Sequence, residues 1–328
     1  MGDPPRLYLH IGAGKCGSSA IQQFLDTNAE HLRKQGFLVP GRSLQDDASG
    51  CGQHLQFFED GIGTEGFAEL VSTRLDALGE TVTREGLHSI VISGENLINP
   101  KGFVELFQGS ADRFQLKVIA YVRRQDDFMI SAWQQWQLKQ FDTFWDYYAR
   151  HRGRINWHRQ LERWRQPFGS EAMIVRRYSS DALLDGDVVA DFCRAIGADT
   201  VDLTLTGRAN RSLHERFNTL ANKHRDVLFE SIHDHRFYTF LETLLGEKAY
   251  KDYSGSTLLT LAQRRLILED HAEANERLRS TYFPDLDPDA LFPRPTARDV
   301  HVTNERPMDE ATELLYVAMF RMWLDQQG

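Results

Sequence analysis

Apolar residues in the first half of the chain follow two rhythms that alternate. Residues 6–11 (Arg-Leu-Tyr-Leu-His-Ile), 88–93, 115–122 and 172–178 are short β-rich runs bounded by polar or glycine-rich turns, which predicts four buried strands. Between them the spacing changes to helical. Ile21, Leu25, Asn28 and Leu32 recur with Phe24 beside them, and Met129/Trp133/Trp136 and Trp157/Leu161/Trp164 each repeat at i, i+4, i+7. Strands alternating with helices imply βαβ units and a parallel sheet covered on both faces. From about residue 205 the strand rhythm stops. Leu258, Leu261, Leu268 and Ala272 predict a helix, residues 282–307 a loop holding five of the ten prolines, and residues 314–324 a closing helix. The reading is one domain over residues 1–328, an α/β core (1–204) followed by a mostly helical extension (205–328).

Composition narrows this without changing it. In 328 residues, 41% hydrophobic and 26% charged is ordinary globular usage, which excludes disorder or a fibre. No run nears the roughly 18 apolar residues of a membrane span, and the apolar stretch at residues 7–11 is too short for a signal-peptide core. Cys16, Cys51 and Cys193 cannot build a disulfide framework or a four-ligand zinc site alone. The expectation is a reduced cytoplasmic protein without an integral membrane segment or a metal. The net charge of −9, from 38 basic and 47 acidic residues, argues against a general nucleic-acid or polyanion binder and leaves room for a local basic cleft. No repeat is present, and nothing reports the oligomeric state.

Candidate chemistry begins where the first strand meets the first helix. Residues 10–19 read His-Ile-Gly-Ala-Gly-Lys-Cys-Gly-Ser-Ser. Glycines let the backbone turn tightly, and a helix N-terminus presents free N–H groups and partial positive charge to an anion. Lys15 adds a full charge, and Ser18 and Ser19 add hydroxyl donors. A glycine turn alone is as well explained by geometry; with the lysine and both serines, phosphate binding is the reading. Three loop types compete. A Walker A loop needs lysine directly after Gly17, where Ser18 stands. The dinucleotide pattern G-x-G-x-x-G is matched by Gly12, Gly14 and Gly17, yet it requires an acid at the end of the next strand, and none precedes Asp46. The third type places lysine two positions before a glycine that hydroxyl residues follow.

That third type, Lys15-Cys16-Gly17-Ser18-Ser19, resembles the Lys-Ser-Gly-Thr-Thr loop that binds the 5′-phosphosulfate in sulfotransferases. A second stretch agrees. After the strand ending at Val122, Arg123 and Ser131 stand eight residues apart, as do the arginine and serine that hold the 3′-phosphate of 3′-phosphoadenosine 5′-phosphosulfate (PAPS) in that family, the serine on the first turn of the next helix. The resemblance is to bacterial carbohydrate-type sulfotransferases, specific over residues 7–32 and 117–139 and looser over 90–100 and 173–212. It implies a P-loop NTPase-like parallel sheet flanked by helices, with PAPS as co-substrate, 3′-phosphoadenosine 5′-phosphate (PAP) as product and no metal. Gly14, Lys15, Cys16, Gly17, Ser18, Ser19, Arg123 and Ser131 are then donor-binding. Tyr178, at the end of a strand, falls near the adenine. The sequence departs from the family at Cys16, usually serine, and at Ser18 and Ser19, usually threonine. The Arg-Lys-Gly element that completes the 3′-phosphate site has no match, and Arg208 and Arg211, beside Asn210 and Ser212, are its substitutes.

Sulfuryl transfer depends on positioning and charge stabilisation. Lys15 suits the leaving phosphate oxygen. Glu95, in Ile92-Ser93-Gly94-Glu95-Asn96, matches the glutamate after a core strand in carbohydrate sulfotransferases and is the candidate base; a solvated loop acid is the plainer alternative. His54, in a polar loop, could orient the acceptor, against the plainer alternative of a surface histidine. Trp133 and Trp136 could stack on a sugar or on adenine, or belong to the core. Cys16, at a helix N-terminus, is expected to have a lowered thiol pKa. The acceptor expected is a hydroxyl on a carbohydrate or glycolipid, a neutral or lipid-linked glycan fitting the acidic chain better than a highly sulfated polymer. A nucleotide-dependent phosphotransferase on the same fold and a non-catalytic nucleotide-binding module are the alternatives.

Overall fold

The computed structural model describes residues 4–204, 212–303 and 305–327. In chain order the elements are β1 (Arg6–His10), α1 (Ser18–Lys34), β2 (Phe37–Leu38), α2 (Leu55–Gly61), α3 (Phe67–Glu85), β3 (Ser89–Ser93), β4 (Gln115–Val122), α4 (Gln125–Gln135), α5 (Phe144–His151), α6 (Trp157–Phe168), β5 (Met173–Arg177) and α7 (Val188–Ile196). Helices follow: α8 (Glu215–Lys223), α9 (Arg225–Leu228), α10 (Arg236–Leu245), α11 (Leu261–Asp270), α12 (Ala272–Tyr282) and α13 (Glu310–Gln327). The protein is α/β, with a five-stranded, all-parallel sheet flanked by helices and a helical C-terminal part. Among the described residues no helix is long and apolar enough to cross a membrane.

The chain separates into two compact units whose sequences interleave. The first comprises Met1–Arg124, Asn156–Arg208 and Glu273–Leu291; the second comprises Gln125–Ile155, Ala209–Ala272 and Phe292–Gly328. The sequence reading drew one boundary, at residue 204.

In the first unit the strand order is β2-β3-β1-β4-β5. The three central strands are apolar runs because both faces are covered. The four strands expected from sequence are present to within a residue at each end. β2, two residues long, was below the length at which a period is readable. Helix α1 buries Ile21, Phe24, Leu25, Asn28 and Leu32, the face its spacing predicts. Asn28 belongs there because its amide is satisfied: Nδ2 donates to the Phe24 and Thr204 carbonyls (2.9 and 3.1 Å), and Oδ1 accepts from the Thr204 N–H (2.8 Å). Trp157, Leu161 and Trp164 are the buried stripe of α6. Buried Asp191 of α7 accepts from the Arg176 guanidinium and from the Tyr121 hydroxyl (3.0 Å), fastening α7 to β4 and β5.

The second unit is helical. Its core includes Phe237 and Phe240 of α10 against Phe320 of α13, with ring centroids 5.4 and 5.6 Å apart. One expectation is corrected here. Leu258, Leu261 and Leu268 are only half-buried and Ala272 is exposed; the inward positions of α11 and its cap are Arg264, Ile267 and His271. The cause is an ion pair. Arg264 Nη1 lies 2.6 Å from Asp126 and 3.0 Å from Asp127, with Arg264 and Asp126 both buried, so a charged residue turns inward and sets the helix rotation. Helix α4 ends at Gln135, which leaves Trp136 beyond the helix and half-buried, while Trp133 is core.

Candidate active site

In the first unit β1 lies between β3 and β4, and the strand order reverses there. In open α/β sheets the crevice outside the carboxyl ends at such a point is where ligands bind. Lys15 follows β1, Glu95 follows β3 and Arg123 follows β4, so three adjacent strands deliver the three candidate charges to one sheet edge.

The loop after β1 is laced to the turn after β3. Gly94 N–H donates to the His10 carbonyl (3.0 Å), Asn96 N–H to Gly12 (2.5 Å) and Ile98 N–H to Ile11 (2.9 Å). In return the Asn96 side-chain oxygen accepts from Gly14 N–H (3.3 Å). Asn96 sits at φ 67°, a left-handed conformation that asparagine tolerates. Its part in the loop was not foreseen; the only signal was a Gly-Glu-Asn turn at a strand end. Within the loop, Cys16 N–H and Ser18 Oγ both donate to the Ala13 carbonyl (3.3 and 3.2 Å). Lys15 takes φ 64°, and Gly17, the N-cap of α1, takes φ 86°. A Cβ at Gly17 would meet Val188 and Tyr178 at 2.8 and 2.9 Å, so glycine is required for space as well as conformation. Because glycine has no capping side chain, α1 opens without a side-chain cap, and its first N–H groups keep their capacity for an anion. Ser18 is buried and Ser19 is exposed.

Arg123 Nη1 donates to the Lys15 carbonyl (2.7 Å), and its guanidinium lies over the Tyr178 ring, 5.5 Å from the centroid. Its own carbonyl accepts from Trp157 Nε1–H (2.7 Å). Arg123 therefore braces the loop, and Tyr178 packs against both Arg123 and Gly17. Burial lowers the Lys15 pKa from its ordinary value; Arg123 repulsion adds to this and Glu95 opposes it. Burial raises the Glu95 carboxyl, against the pull of Lys15. Glu95 is thus half-buried in a turn rather than a solvated acid, and it senses the ammonium of Lys15. The expectation for Cys16 is corrected. Its sulfur is buried, and burial outweighs the helix terminus and nearby cations, pushing the thiol up to about 12.

His54 is likewise not a surface residue. It is fully buried at the start of α2, with Nδ1 accepting from Ser93 N–H and Nε2 donating to the Pro40 carbonyl, both at 3.2 Å. Its partners are backbone groups of a strand end and a turn, which periodicity does not reveal. From the other side His10 Nδ1 bonds Ser93 Oγ (2.8 Å). Two buried imidazoles therefore grip Ser93, two residues before Glu95. Desolvation lowers them to about 3 for His10 and about 4 for His54, so both are neutral. His10 was missed because it reads as a strand residue.

Ser131 lies in the second unit, half-buried on the second turn of α4 rather than the first. Arg208, Asn210 and Arg211 fall outside the described residues. Among the described residues no group of three His, Cys, Asp or Glu side chains is arranged to hold a metal ion.

No family model matches the chain. A protein of Archaeoglobus fulgidus, described as uncharacterized, is 27% identical over 176 residues, which make up 51% of this chain and 46% of that protein. The chain thus aligns with about half the length of this curated relative. The crystal structure of a sulfotransferase from Alicyclobacillus acidocaldarius is similar with a TM-score of 0.37 and 18% identity, over 69% of this chain and 94% of that one.

Proposed function

We propose that the protein is a sulfotransferase that moves the sulfuryl group of PAPS to an acceptor hydroxyl on a carbohydrate or glycolipid, the whole chain serving this one activity. The observation that carries the reading is the delivery of Lys15, Glu95 and Arg123 to one edge by three adjacent strands, beside a helix N-terminus that only glycine caps. Gly14 to Ser19 would hold the 5′-phosphosulfate and Arg123 the 3′-phosphate, a role the resemblance extends to Ser131, with Arg211 a substitute for the family element that has no match. Tyr178 would lie towards the adenine.

Glu95 accepts the proton of the acceptor hydroxyl as its oxygen bonds to sulfur. The bond from sulfur to the bridging oxygen breaks, and its electron pair stays on the phosphate of PAP, where Lys15 stabilises the new charge. Desolvation raises the basicity of Glu95, and the neighbouring Lys15 ammonium opposes that shift. His54 supports this site through Ser93, and an acceptor-orienting role would have to pass through that contact.

A thermal-shift comparison of PAP, ATP with magnesium, and NAD tests the reading, since a ligand that binds the native state raises apparent stability. PAP alone should shift the transition. A larger shift with ATP and magnesium would favour the phosphotransferase, and none with PAP would reject the proposal.

A further inference from the structure

Helix α6 carries Arg159, Arg163 and Gln166 at i, i+4, i+7, on one face. Two clefts meet at this ridge, one of about 450 Å³ towards the start of α12 and one of about 550 Å³ towards residues 98–108, and both are lined by Arg163 and Gln166. All of this belongs to the first unit. The second cleft begins at Ile98, three residues after Glu95, and α6 itself starts at Trp157, whose indole is bonded to Arg123.

The groove's carboxylates are mostly spoken for. Glu162 is held by both arms of the Arg165 guanidinium (2.6 and 2.7 Å) and by the Tyr282 hydroxyl (3.2 Å); Glu273 pairs with Arg277 at 2.5 Å. Arg159 and Arg163 form no ion pair among the described residues, although Glu105 on the facing wall is a remaining carboxylate. Among the described residues Arg163 bonds the Gln160 side chain (3.0 Å), and desolvation and the charge of Arg159 lower its pKa against the pull of Glu105. Two guanidinium groups thus stand one helical turn apart, about 6 Å along the axis, with Glu105 as the carboxylate that Arg163 senses, in a chain of net charge −9. Around them Asn99, Gln108 and Gln166 offer carboxamides, which donate to and accept from hydroxyls. Ile98 and Val104 give the second cleft a short apolar wall, and no aromatic side chain is among its described lining residues. Guanidinium forks match carboxylates in plane, and amides match sugar hydroxyls.

We propose that this groove binds a carboxylate-bearing oligosaccharide, the acidic sugars lying along Arg159 and Arg163. The proposal rests on the reading of the protein as a glycan sulfotransferase, and it replaces the neutral glycan favoured by net charge with an acidic one chosen by local charge.

Calorimetry with tetragalacturonate and with maltotetraose, each with and without PAP, tests it on the full chain. Tetragalacturonate should bind at least tenfold more tightly than maltotetraose and weaken with salt. The Arg159→Gln/Arg163→Gln double variant should lose at least tenfold of that affinity while PAP affinity changes less than twofold. Arg159 is exposed and Arg163 half-buried, so the variant keeps its fold, checked by an unchanged melting temperature. No tetragalacturonate binding, equal binding of both sugars, or binding indifferent to the substitutions would each overturn the groove. Tetragalacturonate binding without PAP binding would instead sink the sulfotransferase reading and leave the groove standing.

Discussion

The grip of two neutral histidines on Ser93 makes the first unit acid-sensitive in a calculable way. An imidazole titrates near 6.5 when unfolded, but burial lowers His54 to about 4 and His10 to about 3. The unfolded chain therefore takes up these protons first. The stabilisation is fully present above pH 6.5, falls as pH drops below that value, and levels off only below each folded pKa. At about 1.4 kcal/mol per pH unit of uptake difference, each group removes about 2 kcal/mol between pH 7 and pH 5; the His54 contribution levels off below pH 4 at about 3.5 kcal/mol. Burial lowers His54 against the opposing backbone hydrogen bonds of Ser93, Pro40 and Gly41, with no charged side chain among the causes of its shift, so salt should not abolish the effect. His54→Gln keeps a polar side chain but cannot titrate. Urea unfolding at pH 7.5 and pH 5.0, followed by hydrogen exchange at β1 and β3 amides so that the first unit is read alone, gives the comparison. The variant is less stable at pH 7.5, and its loss between the two pH values is smaller than the parent's by about 2 kcal/mol. Groups common to both proteins cancel in this difference. Equal losses would show that His54 is protonated in the folded state, and the argument from burial would fail.

Three further outcomes are expected. Glu95→Gln leaves PAP affinity nearly intact and lowers turnover by roughly 10²–10⁴, removing an acid limb that lies above the ordinary glutamate range, whereas Lys15→Ala weakens both donor binding and turnover; normal turnover in Glu95→Gln would take it out of the mechanism. Arg123→Ala weakens PAP about ten- to a hundredfold and 5′-AMP far less, as Ser131→Ala should if the resemblance extends to α4, and calorimetry finding equal losses for both nucleotides would reject the 3′-phosphate role. Arg264→Met removes the guanidinium from the buried Asp126 carboxylate and destabilises the second unit by about 3–5 kcal/mol at neutral pH, measured by denaturant unfolding; a neutral result would mean that the other surroundings of Asp126 suffice to hold its charge or that it takes up a proton.

The strands and the faces of α1 and α6 were legible because each is decided by a local apolar period. So were Lys15, Glu95 and Arg123, which stand at strand ends where position along the chain already implies position on the sheet. What escaped notice was set by partners far away in sequence. The rotation of α11 follows from Arg264 reaching Asp126, 138 residues earlier. His54 looked like a polar loop residue until its ring met the backbone of a strand 39 residues on. Cys16 shows the limit of a local rule, since a helix terminus lowers a thiol pKa only while solvent reaches the sulfur. Asn96 acts through two hydrogen bonds to the loop after β1 and His10 through one to Ser93 of β3, and neither leaves a periodic trace.

The interleaving of the two units has a consequence for how the chain is made. β4 and β5 are neighbours in the sheet, yet the whole of Gln125–Ile155 is synthesised between them, and the first unit also needs Glu273–Leu291. On a ribosome the sheet cannot close until β5 has emerged, and its unit is incomplete until Leu291 is out. A nascent chain held at residue 204 would present an unfinished surface to chaperones, and long-range closures of this kind fold slowly. Neither unit can be obtained by cutting the polypeptide once, so a dissection would require splicing distant segments.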